Sequence, residues 1–95
     1  MTILDQIAGK IIKEQELIIG PLAWEEAGHV IGLHAVDKKT WEVSIEESID
    51  KRTVIDKLVA QYDRLFGRAS REVSREAAAP FLTGLAPTEI PSSLK

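Results

Sequence analysis

The chain has 95 residues, a net charge of −3, 44% hydrophobic residues and 28% charged residues. This is the length of one domain and the composition of an ordinary globular protein. Because it contains no cysteine, the sequence excludes disulfides, thiolate metal sites and cysteine nucleophiles, and it favours a cytoplasmic location. Charged residues interrupt the apolar stretch from Ile3 to Ile19, so we expect neither a secretion signal nor a membrane span.

Two helices are predicted before the first strand. Isoleucines recur at helical spacing over residues 2–19, with Thr2 as the N-terminal cap. Gly20-Pro21 separates this helix from a short second helix over residues 21–31, which Gly32 ends. The apolar face of the first helix is unusually broad, and a domain of this size has little core to cover it, so this face favours association with a partner.

A β-hairpin is predicted next, with strands Leu33–Val36 and Trp41–Glu46 around a turn at residues 37–40. In the second strand Trp41, Val43 and Ile45 alternate with polar residues and are expected to face the core. A lone two-stranded sheet is marginal in water. It must therefore lie on helices or pair at its edge with another copy of the chain.

The pattern of residues 50–79 favours one long helix, continuous through Gly67 and ended by Pro80. A break at Gly67 is the alternative, because glycine costs about 1 kcal/mol inside a helix. The apolar residues of this segment fall in one arc whose phase does not change across Gly67. We thus expect a single α+β domain over residues 1–82, in the order α-α-β-β-α, with helices packed around the hairpin. Residues 83–95 are rich in proline and are predicted to form a flexible C-terminal tail.

Five basic residues of the predicted long helix share an arc of about 60° that contains no acid: Lys57, Arg64, Arg68, Arg71 and Arg75. On a continuous helix they form a basic ridge about 27 Å long. The ridge could be an ordinary solvated face, a contact for an acidic protein surface, including that of a second copy, or a nucleic-acid contact. The net acidity of the chain, and the absence of aromatic residues between the arginines, argue against nucleic acid.

Aromatic residues suggest a second possible site. Trp24, Trp41, Tyr62 and Phe66 are expected as core anchors, with a ligand pocket lined by these four residues as the alternative. His29 and His34, with Glu25 or Glu26, give too few ligands for a metal site, so no metal or cofactor is predicted.

Little in the sequence supports catalysis. The candidate nucleophiles Ser44, Ser48, Ser70 and Ser74 lie in no nucleophile-elbow motif, and no glycine-rich phosphate loop is present.

The order helix, strand, turn, strand, helix over Ala23–Phe66 resembles the middle of a ferredoxin-like heavy-metal-associated domain. The chain has no Cys-x-x-Cys motif, and helices rather than strands are predicted before and after this stretch. The resemblance therefore transfers no functional residue.

From these patterns we expect a non-enzymatic interaction or regulatory module that self-associates, as a homodimer or larger, by edge pairing of the hairpins, by packing of the first helices, or by both. The alternatives are a small-ligand sensor with an aromatic pocket and a nucleic-acid-binding domain that uses the basic ridge.

Overall fold

A computed structural model describes residues 2–95, which form four α-helices and one two-stranded antiparallel sheet. Helix α1 spans Ile3–Ile19 and begins at the expected cap. The Asp5 backbone N–H donates to Thr2 Oγ1, and the Thr2 backbone N–H donates to Asp5 Oδ2, both over 3.2 Å. These two bonds form a capping box, which satisfies N–H groups that the first helical turn leaves free. The prediction of Thr2 as the cap is confirmed.

Helix α2 spans only Leu22–Ala27, shorter than the predicted 21–31. After Ala27 the backbone continues in tight turns, in which His29 N–H donates to Glu26 and Val30 N–H donates to Ala27. Gly28 ends the helix because glycine has a low helical propensity. Gly32, with a φ of 93°, then redirects the chain into the sheet.

The hairpin comprises β1, Leu33–Asp37, and β2, Glu42–Ile45. Leu33 pairs with Ile45 and Ala35 with Val43, and the register shifts between Ala35 and Asp37. Val43 and Ile45 are buried, as their alternation predicts. Trp41 lies outside β2 because its φ of 55° departs from strand geometry.

Residues 51–82 form two helices, α3 over Lys51–Phe66 and α4 over Arg68–Leu82, so the prediction of one continuous helix is wrong. Gly67 separates them with a φ of 83° and a ψ of −167°, a region open essentially to glycine alone. Its N–H donates to the Asp63 carbonyl and caps α3. The chain turns at this residue, and α4 packs against both α3 and α1.

Pro80 lies within the last turn of α4 and does not end the helix, which continues to Leu82. Phe81 and Leu82 pack against the hydrophobic core. Their burial stabilises the last half-turn despite the hydrogen bond that proline cannot make.

The core is centred on α1, which packs against α2, α3, α4 and β2. Ile7, Ile11 and Ile12 of this helix are fully buried, together with Ile55 and Leu58 of α3. The fold is therefore α+β, but its central element is the first helix rather than the hairpin.

The C-terminal segment, predicted as a flexible tail, contains two short 3-10 helices, Pro87–Glu89 and Ser92–Leu94, and the second packs against α3 and α4. Leu94 is buried. The Asp56 carboxylate accepts hydrogen bonds from the Ser92 hydroxyl (3.1 Å), the Ser93 N–H (3.0 Å) and the Ser93 hydroxyl (2.6 Å). Proline content alone predicts an irregular segment, but it does not reveal an acceptor that lies 36 positions earlier in the chain.

Candidate functional site

The five basic residues of the predicted ridge do not form one surface. The break at Gly67 leaves Lys57 and Arg64 on α3, and Arg68, Arg71 and Arg75 on α4. Since the two helix axes differ in direction, angular positions on one are unrelated to those on the other. The single helical ridge on which the nucleic-acid alternative rested is therefore divided into two parts.

Two of the arginines face other parts of the same chain. The Arg71 guanidinium lies 2.6 Å from the Asp63 carboxylate of α3. Arg75 lies 3.3 Å from Glu72, and its Nε donates to the Ser93 carbonyl over 3.4 Å. With Asp56 they line a cleft of about 340 Å³ between α3, α4 and the C-terminal segment. The cleft is lined by two acids, Asp56 and Asp63, as well as by the two arginines, so its charges balance and it is not an anion-binding surface.

The four aromatic residues predicted to line a pocket are not brought together in one cavity. Tyr62 is fully buried, and its hydroxyl donates to the Ala23 carbonyl over 2.7 Å. Burial raises the pKa of Tyr62 well above its usual range. Phe66 packs against the core. Trp24 and Trp41 line separate cavities, of about 150 and 480 Å³, whose walls share no residue.

Two of the four candidate serines and one of the two histidines have structural partners. Ser70 and Ser74 are buried and bind the Gln15 side chain, while His34 Nε2 lies 2.8 Å from Glu46 Oε1 across the hairpin. Within residues 2–95, histidine and carboxylate side chains nowhere gather in a group of three or more that could hold a metal ion.

Exposed apolar side chains gather at one end of the molecule. The end of α1 and the start of α4 are joined there by Gln15, whose amide donates to the Ser70 carbonyl over 2.9 Å. The start of α2 and the end of α3 are joined there by the hydrogen bond from Tyr62 to Ala23. Four residues of these helix ends, here called the apolar end, keep large exposed fractions: Leu17 (72%), Ile18 (65%), Leu65 (48%) and Leu22 (37%).

The sequence indicated the apolar end only in part. The broad apolar face of the first helix signalled surplus apolar surface, and Leu17 lies at its border. Ile18 and Leu65, however, fall within the apolar arcs of their helices, which predicts that they face the core. In the structure both side chains, each near the C-terminal end of its helix, keep a large exposed fraction instead.

Comparison with protein-family models, with curated proteins and with solved structures finds no match to this chain. Among residues 2–95, none of the helices combines the length and the hydropathy needed to cross a membrane. A functional hypothesis must therefore rest on the chemistry of the surfaces themselves.

Two cations border the apolar end. Arg64 and Arg68 flank the Leu65 to Gly67 junction and are both exposed. Within the described part of the chain neither forms an ion pair; Arg64 has only a 3.4 Å hydrogen bond to Gln61. The apolar end thus has a basic rim made of Arg64 and Arg68. Lys57, also in the predicted basic set, is exposed and forms no ion pair within the described residues, but it lies about two turns earlier on α3.

Proposed function

We propose that this domain is a non-enzymatic interaction module that self-associates through the apolar end. The observation that carries the proposal is that four of the six large exposed hydrophobic side chains found within residues 2–95 lie on helix ends that meet at one end of the molecule. Single exposed leucines are normal on a protein surface, whereas a cluster at one site is typical of an interface. The cytoplasm is the proposed compartment, in keeping with a chain that has no cysteine.

A two-fold contact is the simplest arrangement that uses this surface. In such a contact the same patch on both copies is buried, so each exposed residue meets apolar surface rather than water. Leu17 and Ile18, on the last turn of α1, have the most surface to lose. Each contributes on the order of 1–2 kcal/mol when it is covered. The first helices would then pack against each other near their C-terminal ends.

The outer edge of β1 is the competing surface, with Ile31 and Val36 exposed beside it. This strand has only five residues, its register shifts between Ala35 and Asp37, and Lys38 and Lys39 follow it. Short length, irregular register and nearby charge are the features by which natural edge strands avoid pairing. They favour the apolar end over the hairpin edge as the contact between copies.

Arg64 and Arg68 give the proposed contact a polar rim. A rim charge in solvent contributes little affinity, generally below about 1 kcal/mol, but it selects partners by sign. We therefore expect the association to weaken only modestly with salt, because the apolar residues supply most of its free energy.

The deciding experiment is light scattering coupled to size exclusion at low and high salt, on the wild-type chain and on two variants. We expect the wild type to show twice the 10.5 kDa mass of one chain. Leu17→Glu should give the monomer mass, because a carboxylate buried between two copies is strongly unfavourable. The matched control is Ile31→Glu, which is similarly exposed (76%, against 72% for Leu17) but lies outside the apolar end, and it should leave the dimer intact.

Two results would contradict the proposal. A wild-type monomer at about 100 μM, a concentration at which even weak dimers form, would remove self-association altogether. Dissociation by Ile31→Glu but not by Leu17→Glu would assign the contact to the hairpin edge. Circular dichroism of each variant separates a lost interface from a lost fold.

A further inference from the structure

A cleft of about 480 Å³ lies between α1, the residues that precede β2, and the end of α4. Its walls include Gln6, Lys10 and Lys13 from α1, Trp41 from the hairpin, and Phe81 from α4. This volume is within the range of small-molecule sites, roughly 300–1,000 Å³, and such sites combine apolar walls with a few polar groups. The cleft has both.

Trp41 is held in an uncommon conformation at this cleft. Its φ of 55° is positive, which is uncommon for any residue except glycine and especially so for a bulky one. Its indole Nε1 donates to Glu16 Oε1 over 2.6 Å. Gly9 of α1 lies directly against the Trp41 carbonyl, where a Cβ atom would clash with that oxygen. The surrounding structure thus fixes both the backbone and the ring of Trp41, as is found where a side chain is positioned for binding.

One polar group of the cleft, the ammonium of Lys13, is placed to pair with an anion. The Lys13 ammonium lies 4.9 Å from the centre of the Trp41 ring, a cation–π distance that holds it at the wall. Lys10 provides a second ammonium, but it is already paired with Glu14 over 3.2 Å, so Lys13 is the cation open to a ligand. The lining also contains one carboxylate, that of Glu42. The ring of Phe81 provides apolar surface in the same lining.

We infer that this cleft binds a small carboxylate that carries a flat apolar body. The carboxylate would pair with the ammonium of Lys13, with Lys10 beside it, and the flat body would pack on Phe81 and the exposed part of Trp41. Stacking on aromatic surface and a charge-assisted hydrogen bond are both directional, so they fix the orientation of a small ligand. The inference does not depend on self-association, since it uses none of the four residues of the apolar end.

The test is a titration of the ¹⁵N-labelled full chain followed by NMR, with naphthalene-2-carboxylate as the probe and the uncharged naphthalene-2-carboxamide as its matched control. The indole N–H signal of Trp41 reports on the cleft, and that of Trp24, which lines a different cavity, serves as the internal reference. We expect the carboxylate to shift the Trp41 signal and to bind about tenfold more tightly than the carboxamide, the difference expected from one hydrogen bond to a charged group. Lys13→Gln should abolish that preference.

Three outcomes would overturn the inference. The first is a Trp41 signal that does not move at about 5 mM carboxylate, because any dissociation constant would then lie above the millimolar range. The second is equal binding of carboxylate and carboxamide, since charge would then play no part. The third is a Trp41 signal that shifts with protein concentration alone, which would assign the cleft to contact with a second copy.

Discussion

The side-chain amide of Gln15 donates to Ser74 Oγ over 3.2 Å, although 59 positions separate the two residues. The same side chain also binds the Ser70 carbonyl and accepts from the Ser70 hydroxyl. All three residues are buried, so this network joins α1 to α4 inside the protein. A buried polar group stabilises a fold only while its partners are satisfied.

We predict that Gln15→Ala lowers the free energy of unfolding by about 2–4 kcal/mol, because it leaves Ser70 and Ser74 without a partner and opens a cavity. Urea denaturation measures this change. The control is Gln61→Ala, which removes a half-buried amide bound to Glu26 and should cost no more than about 1 kcal/mol. If the two variants lose similar amounts of unfolding free energy, the buried Gln15 network stabilises the fold no more than a half-buried amide does.

Gly67→Ala is predicted to destabilise the domain by about 1–3 kcal/mol, because an L-residue is strained at a φ of 83° and a ψ of −167°. No atom lies near enough to meet the added methyl group, so the loss arises from the backbone alone. Thermal unfolding is the measurement. D-Alanine, introduced at the same position by chemical ligation, carries the same methyl group but favours positive φ, and it should restore most of the stability. If both alanines behave alike, the strain argument fails.

Asp56→Ala is predicted to release the C-terminal segment, because it removes the acceptor for three hydrogen bonds from Ser92 and Ser93. Limited proteolysis followed by mass spectrometry should detect faster cleavage within residues 83–95, while the rest of the chain remains protected. Glu76→Ala, an exposed change on α4, is the control. Unchanged cleavage in Asp56→Ala would mean that Leu94 and its apolar contacts hold the segment without help from Asp56.

Stability is predicted to fall as the pH rises above about 10. Burial raises the pKa of Tyr62, so between its ordinary value of 10.0 and its higher folded value the unfolded chain loses a proton that the folded chain keeps. Each unit of pH in that window favours unfolding by about 1.4 kcal/mol for this group. Urea unfolding of wild type and Tyr62→Phe at increasing pH measures the slope. Phenylalanine should reduce the slope while costing some stability at neutral pH, where the bond to Ala23 is lost.

Lys51 should contribute to the same alkaline loss. Burial acts to lower the pKa of Lys51, but the hydrogen bond to Glu47 and the charge of Asp5 outweigh it, and the net pKa is raised from 10.5. Its stabilisation is therefore complete below that value and disappears as the pH rises through the folded pKa. We expect part of the pH dependence of the unfolding free energy to remain in Tyr62→Phe and to fall further when Lys51→Met is added. That result would support a contribution from both residues. A slope unchanged by both substitutions would contradict it.

Local patterns predicted much of this fold. Thr2 and the isoleucines located α1, and the alternation of Val43 and Ile45 identified the buried face of the hairpin. The break at Gly67 was not predictable from periodicity, because the apolar phase is the same on both sides of it. A helical wheel gives the direction in which a side chain points from the helix axis. It does not show whether another element packs against the helix at that point along its length. For this reason Ile18 and Leu65 were expected inside the protein and lie outside.

The candidate sites were harder to predict, since each depends on contacts between distant segments. The cleft at Trp41 requires Gly9 to approach the Trp41 backbone and Phe81 to lie nearby, and no spacing in the sequence encodes either. Likewise, Arg71 and Arg75 share a helix face with Arg68, yet their partners on α3 and in the C-terminal segment become visible only when the chain is folded.

The one-residue link at Gly67 also determines whether α4 can pack against α1 of the same chain. If residue 67 became helical, α4 would extend straight from α3 for about 22 Å, given its fifteen residues, and could no longer reach α1 of its own chain. The pairing of Ser74 with Gln15 would then require a second molecule, with the two chains exchanging their fourth helices. A substitution at this glycine that yields a stable dimer despite Leu17→Glu would be the signature of such an exchange.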